Sequence, residues 1–288
     1  MAGESGKETM IAFEFDDKIT SCLVCQSPDL HDHLVDHCGI KISRCHRCGF
    51  QFMNPQYSDK YLTEFYAQYL DDDDYDYWHE PLMTSHDLYL SLVEKHIRPG
   101  KMLDIGCGYG HLMEAARKRG WDIHGYDVDN VATQKVSDRL GVEVACGDFP
   151  TCAVGSGYDL IAMHQVLEHL KDPNRYLEKI HGLLNEGGIL FVAVPNIMSL
   201  SSRLKFGLER MGLRRKNIGK YYDTSHHVLY FEPDTLSTLL DNHDFQVVQR
   251  RNCLSARPGQ SELKRYFMKN VTDHLFAKSA FLVIARKT

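Results

Sequence analysis

The chain has 288 residues, 43% of them hydrophobic and 25% charged, enough to bury one large core with a smaller unit beside it. Its net charge of −6 argues against broad non-specific binding to nucleic acid, and no apolar run approaches the ~20 residues a membrane span requires. Nine cysteines is an odd count, and residues 1–9 contain no apolar secretion leader, so free thiols in a reducing, cytoplasmic compartment are expected.

Taken in order, residues 1–17 are a polar arm. Cys22-Leu-Val-Cys25 follows, then nineteen intervening residues, then Cys45-His-Arg-Cys48. Two C-x2-C knuckles at this separation predict a structural zinc held by Cys22, Cys25, Cys45 and Cys48. A segment of roughly 40 residues has too little core to fold alone, so the metal would supply much of its stability. His31, His33, His37, Cys38 and His46 lie nearby and are expected outside the metal shell. From Gly49 the chain reads as a strand, a turn at Asn54-Pro55 and a helix. The acidic run 71–74 reads as a solvated loop, and residues 78–97 as a helix that Pro99-Gly100 ends. The expected division is therefore 1–55 arm and zinc ribbon, 56–100 helical linker, and 101–288 a single catalytic domain.

That last stretch begins K-M-L-D-I-G-C-G-Y-G, residues 101–110: strand, glycine-rich turn, and a helix opening at His111. Three alternating glycines let the backbone bend sharply and approach a bound nucleoside closely. A dinucleotide fingerprint would place its third glycine at position 111, which is His111. Strand and helix then alternate: strands at 121–127, 142–148, 158–164 and 189–194, helices at 130–140 and 172–184. This rhythm predicts a parallel sheet covered on both faces, with its ligand at the carboxyl ends of the strands. Residues 197–222 form a long basic insert. In it Leu200, Leu204, Leu208 and Met211 share one helical face, with Arg203, Lys205, Arg210, Arg214, Arg215 and Lys216 around them. The reading favoured is a lid helix packing its leucines on the core; a basic face greeting an anionic acceptor or making peripheral contact with a membrane surface stays open. A helix at 233–242, a strand at 245–250, an irregular or helical stretch at 254–274 and a strand at 276–285 complete the chain.

The D-x-G-x-G-x-G turn resembles motif I of the class I S-adenosylmethionine (SAM) methyltransferases. The knuckles with the C-G-x-x-F-x-N-P stretch after them resemble the zinc-ribbon leader of some bacterial members, in sugar and natural-product pathways. The resemblance implies an α/β Rossmann-like fold with a seven-stranded sheet, the last strand antiparallel, plus the small N-terminal zinc ribbon. It implies a SAM site made by Asp104, Gly106, Cys107, Gly108 and Gly110, by Asp127 and Val128 after the second strand, by Asp148 and Phe149 after the third, and by His164 after the fourth. Asp127 has an independent warrant: a carboxylate at that strand end can accept both ribose hydroxyls.

The segment His164-Gln-Val-Leu-Glu-His169 resembles the family's post-strand-four segment. In the ubiquinone-pathway O-methyltransferases an E-x-x-E-H version of it is associated with a divalent metal; the first glutamate position is Gln165 here. His227, in H-x-x-Y-F-x-x-x-T-L, together with His226 and Tyr222, falls where the family keeps substrate-contacting residues. With His169 these are the candidate catalytic groups, because methyl transfer needs alignment and the removal of one proton. The function implied is SAM-dependent O-, N- or C-methylation of a small-molecule acceptor, anionic if the basic insert meets it. Two alternatives stand beside it: an RNA base methyltransferase using a zinc ribbon, and a non-catalytic zinc-dependent interaction module.

Overall fold

The structure, a computed structural model, describes residues 13–36, 38–66, 74–211, 222–253 and 278–288. Two sheets organise it. The smaller begins between the two cysteine knuckles, where β1 (Leu30–Val35), β2 (Lys41–Cys45) and β3 (Gln51–Met53) pair antiparallel. Its fourth strand comes from far along the chain: β9 (Leu229–Tyr230) lies beside β3, with Gln51 opposite Tyr230. The cis peptide Asn54-Pro55 turns the chain out of β3 towards α1 (Asp59–Tyr66), and α2 (Asp74–Val93) follows.

The larger sheet is built from β4 (Lys101–Ile105), β5 (Asp122–Asp127), β6 (Val144–Cys146), β7 (Tyr158–His164), β8 (Leu184–Pro195), β10 (Phe245–Asn252) and β11 (Ala280–Lys287). Its order is β10-β11-β8-β7-β4-β5-β6. Neighbours from β8 through β6 are parallel, and β11 is antiparallel to both β8 and β10. Ile189 to Val194 of β8 are buried without alternation, as a strand covered on both faces must be. The helices between the strands have local start and stop signals. In α4 (Asn130–Leu140) the Asp129 carboxylate accepts from the Val131 and Ala132 N–H groups, and Gly141 at φ 60° ends it. In α5 (Pro173–Leu183) Asp172 caps and Pro173 fills the first turn, where a missing N–H costs nothing.

Each face of the sheet has its own core. On one face α2 lays Tyr89, Leu90 and Val93 against Met102, Leu160 and Phe191, with α3 (His111–Lys118) beside it. On the other, Leu103, Ile105, Ile161 and Val192 run continuously into Phe50, Phe52 and Tyr57 of the N-terminal sheet and into Phe231, just ahead of α7 (Pro233–Asp241). The ribbon segment is therefore packed into the domain's own core.

The expected helix at 78–97 begins earlier and ends at Val93, and the last strand is Ala280–Lys287. The stretch 254–274 lies outside the described residues. The insert departs most. Its helix α6 (Leu200–Arg210) does not bury the leucine face expected of it: Leu204 is 63% exposed, and Leu200 and Met211 are exposed too. The chain enters the core on either side of that helix: Ile197 and Ser199 before it, and Tyr222, with Thr224, Val228 and Leu229 just beyond the insert, are packed inside. Arg214, Arg215 and Lys216 lie outside the described residues.

Candidate active site

At the carboxyl end of β4 the chain turns through Gly106 (φ 72°), Gly108 (φ 48°) and Gly110 (φ 74°). The glycines do different work. A Cβ on Gly106 would lie 2.5 Å from Cγ2 of Val166, so the loop after β7 presses directly on this turn, whereas a Cβ on Gly108 would meet nothing within 4 Å. Gly108 thus presents bare backbone to an open side, the cradle a nucleoside needs. The Gly106 and Cys107 N–H groups donate to the Tyr126 carbonyl at 2.7 and 3.0 Å, which fixes the turn to the end of β5.

Asp127, the last residue of β5, accepts the Gly108 N–H at 2.8 Å and the Asp129 N–H at 3.0 Å. Beyond it Val128 is exposed. Asp104 is buried beneath the turn, and burial, then the nearby Asp127 carboxylate, pushes its acid well above the usual range. Asp148 is exposed after β6 and accepts from the Thr151 hydroxyl at 3.0 Å, while Phe149 is buried against Tyr126 and Tyr176. Asp127, Val128 and Asp148 therefore stand along one rim, at the carboxyl ends of β5 and β6, with Gly108 beside them. A carboxylate at a strand end, exposed backbone and a further exposed acid are the donor and acceptor set that a ribose and an adenine amino group require. His164 belongs to a layer below. Its ring meets His86 at 5.0 Å and Tyr89 at 5.8 Å, both from α2, and burial lowers its pKa to about 4.

A second cluster forms around the loop after β7, whose Val166 presses on the glycine turn. A single turn of 3-10 helix, Leu167–His169, follows β7, and the Val228 N–H donates to the Glu168 carbonyl at 2.9 Å. This clamps the stretch after the insert onto the 3-10 turn. His169, His226 and His227 come together, with ring centres 5.1 Å (169–226), 4.8 Å (169–227) and 4.5 Å (226–227) apart. Burial lowers the pKa of each imidazole; neighbouring imidazoles lower those of His169 and His227 further, and His227 falls to about 3. Gln165 takes φ 58° ahead of this turn and is not part of the cluster. Tyr222 meets the cluster only through its backbone, which hydrogen-bonds the His227 ring. Its hydroxyl donates to Gln51 Oε1 at 2.8 Å and its ring packs edge-on to Tyr230, so it fastens the insert to the ribbon.

Two residues absent from the sequence expectations complete the neighbourhood. The Tyr66 hydroxyl lies 2.9 Å from His169 Nδ1, and the Phe65 ring is 5.5 Å from that of His226. The signal for them was faint: an aromatic i, i+4 pair, Tyr61 and Phe65, in the tyrosine-rich helix.

At the ribbon, Cys22 Sγ is 3.5 Å from Cys48 Sγ and Cys25 Sγ is 3.5 Å from Cys45 Sγ, and all four sulfurs lie within 4.8 Å of one another. Tetrahedral zinc–thiolate bonds of about 2.3 Å place sulfurs about 3.8 Å apart, so this donor set fits the metal. The two knuckles share a turn. Gln26 N–H donates to the Cys22 carbonyl and Gly49 N–H to the Cys45 carbonyl, and both Gln26 and Gly49 have left-handed φ.

Sheet order, reversed strand β11, the glycine turn and the acid at the end of β5 define the class: a Rossmann-like nucleoside-binding domain of the class I methyltransferase type. A family model described as "Methyltransferase domain" matches residues 77–250, and the chain belongs to that family. The chain is similar to the ubiquinone biosynthesis O-methyltransferase of Coxiella burnetii, 30% identical over a 134-residue alignment that covers 42% of this chain and 57% of that protein. It is also similar to that of Parvibaculum lavamentivorans, 32% identical over 117 residues, 38% of this chain and 46% of that one. The chain thus spans about half the length of these relatives. Among solved structures, a SAM-dependent methyltransferase from Thermotoga maritima aligns over 75% of this chain and 96% of its own, with a TM-score of 0.52 at 16% identity. The N-methyltransferase NodS from Bradyrhizobium japonicum, in complex with S-adenosyl-L-homocysteine, aligns over 78% and 97%, with a TM-score of 0.52 at 17% identity. At those identities the likeness is one of fold. Among the described residues no helix is long and apolar enough to cross a membrane.

Proposed function

We propose that this protein transfers a methyl group from SAM to an oxygen or nitrogen of a small-molecule acceptor. The observation that carries the reading is the adjacency of two half-sites: the Gly108–Asp127 cradle, and the His169, His226 and His227 cluster held against the same glycine turn through Val166. Asp127 would hold the ribose hydroxyls, Asp148 the adenine amino group, and Gly106 to Gly110 the backbone face of the nucleoside. SAM, when bound, supplies an electrophilic methyl on a sulfonium. The chain's own contribution is then alignment of the acceptor and exclusion of water. The His169, His226 and His227 cluster would face the acceptor and align it with the methyl group. The four-cysteine site is structural, with no open position for a reactive water.

Titration calorimetry with SAM tests the cofactor half. Asp127→Asn should weaken binding by about 1–3 kcal/mol, since the ribose would lose a charged acceptor. Incubation with methyl-labelled SAM and a fractionated metabolite extract tests the acceptor half, and label should enter low-molecular-mass material. Undiminished SAM affinity in Asp127→Asn would remove the ribose assignment. Label confined to RNA would replace the small-molecule acceptor with a nucleic acid.

A further inference from the structure

We propose that His169, His226 and His227 form a second metal site, for a divalent transition ion, distinct from the four-cysteine zinc site. One imidazole nitrogen from each residue lies within 4.8 Å of the others. A nitrogen bound at about 2.1 Å puts its ring centre about 3.2 Å from the ion, so three imidazoles at 90–110° stand about 4.5–5.2 Å apart, centre to centre. The observed separations are 4.5, 4.8 and 5.1 Å. Bound nitrogens would lie about 3.0–3.4 Å apart, so ligation needs the donor atoms to close by up to about 1.5 Å, by rotation about the broad terminal torsion of histidine.

Three further observations favour an ion over a purely packed cluster. First, three imidazoles are gathered where little water reaches, His226 buried and His169 and His227 half-buried, and neutral imidazole is the ligand form. Second, two of the rings already have an outer oxygen on one nitrogen. His169 Nδ1 meets the Tyr66 hydroxyl at 2.9 Å, and His226 Nδ1 meets Ser225 Oγ at 2.7 Å. Ligating histidines are held in this way, which fixes tautomer and ring direction. Third, the Glu168 carboxyl is 1% exposed, has no hydrogen-bond partner for either oxygen among the described residues, and reaches to 3.9 Å from His169 Nε2. A buried carboxyl without a partner is costly, and a dication at the neighbouring imidazoles supplies the missing countercharge.

Two of the three donors come from the stretch just after the insert and one from the turn after β7, so the ion would also bolt that stretch to the sheet. The donor set is imidazole, where the E-x-x-E-H pattern of the ubiquinone-pathway enzymes offers carboxylates. Three nitrogen ligands suit zinc, iron, cobalt or nickel more than magnesium or calcium. They leave at least one position open. Resting on the methyl-transfer reading, that position would take the acceptor's hydroxyl oxygen and ease loss of its proton.

The test counts metals in the full chain, purified without chelator and titrated with Co2+ or Zn2+. The expected result is two equivalents per chain. With Co2+, one should show thiolate charge-transfer absorption, and the second only weaker visible bands. The double variant His226→Ala/His227→Ala should keep the first equivalent and lose the second, and Tyr66→Phe should weaken the second roughly tenfold. Calorimetry with SAM on the same samples reports the cofactor half separately, so a chain that binds SAM but only one metal overturns this site and leaves the methyl-transfer reading standing. Retention of the second equivalent in a folded double variant also overturns it. If that variant does not fold, the cobalt titration of the wild-type chain decides alone: a second equivalent without further thiolate absorption supports the site, and its absence overturns it.

Discussion

The hydroxyl of Tyr222 donates to Oε1 of Gln51 at 2.8 Å, joining residues 171 positions apart inside the protein. One belongs to the ribbon strand β3, the other to the end of the insert, and β9 pairs with β3 a few residues further on. The N-terminal sheet is therefore finished by a strand of the catalytic domain. Tyr222→Phe should cost about 1–2 kcal/mol of stability, because the Gln51 carbonyl loses its buried donor. SAM affinity should not change. Denaturant midpoints and calorimetry check both halves, and unchanged stability in the variant would remove the Gln51 bond from the explanation.

A consequence concerns the four cysteines. Phe50, Phe52 and Tyr57 share one core with Leu103, Ile105 and Val192 of the large sheet. Removing the metal should therefore lower a single unfolding transition, not melt a separate ribbon while the rest survives. Cys45→Ser should lose the tightly bound equivalent of zinc and shift that same transition downward. Scanning calorimetry showing two resolved transitions would contradict the shared core.

The alternation of strand and helix from Lys101 and the knuckle spacing were legible in the sequence because each is a local signal: glycine turns, capping acids such as Asp129 and Asp172, and cysteine spacing. What was not legible is long-range. Nothing local to Leu229–Tyr230 says that these two residues pair with β3, since a two-residue strand has no periodicity. The amphipathic pattern of the insert helix was real but does not encode what covers it, and Leu204 is exposed. Tyr222 carried the family's substrate position in sequence yet points to the ribbon, because only the fold brings Gln51 beside it. The His169, His226 and His227 cluster could be suspected residue by residue, but its closeness depends on the Val228–Glu168 backbone bond.

An ion pair at the end of α2 offers a pH test. Arg119 Nε donates to Glu94 Oε1 at 2.8 Å, a second guanidinium nitrogen pairs with the other oxygen, and Trp121 Nε1 donates at 3.2 Å. The hydrogen bond from Arg119 is the main cause that holds the Glu94 pKa below its usual value. The folded pKa is thus lower than the unfolded one, so the contribution is present above the unfolded value, near 4.3, and is lost as pH falls through the folded value. Glu94→Gln should cost about 1–3 kcal/mol at pH 7, and the difference from wild type should shrink below pH 4. A difference that stays constant from pH 7 to pH 3 would remove the charge from the explanation.

The two glycines at the centre of the turn should respond differently to the same change. Gly106 and Gly108 both have positive φ, so alanine at either pays the left-handed penalty of about 1–2 kcal/mol. At Gly106 the added methyl also overlaps Val166, 2.5 Å away, and overpacking of that kind costs a further 1–3 kcal/mol or so. Gly106→Ala should therefore destabilise the fold by about 2–5 kcal/mol, and Val166→Ala in the same chain should recover the steric part while leaving the backbone part. At Gly108 the methyl enters open space, so the fold should lose only the backbone part. If that space is where the nucleoside lies, SAM affinity in Gly108→Ala should nonetheless fall at least about tenfold, or 1.4 kcal/mol. Thermal melts and SAM calorimetry on the three variants separate the effects. A Gly108→Ala protein that melts near wild type and binds SAM as tightly would show that the cofactor does not approach the turn at this residue.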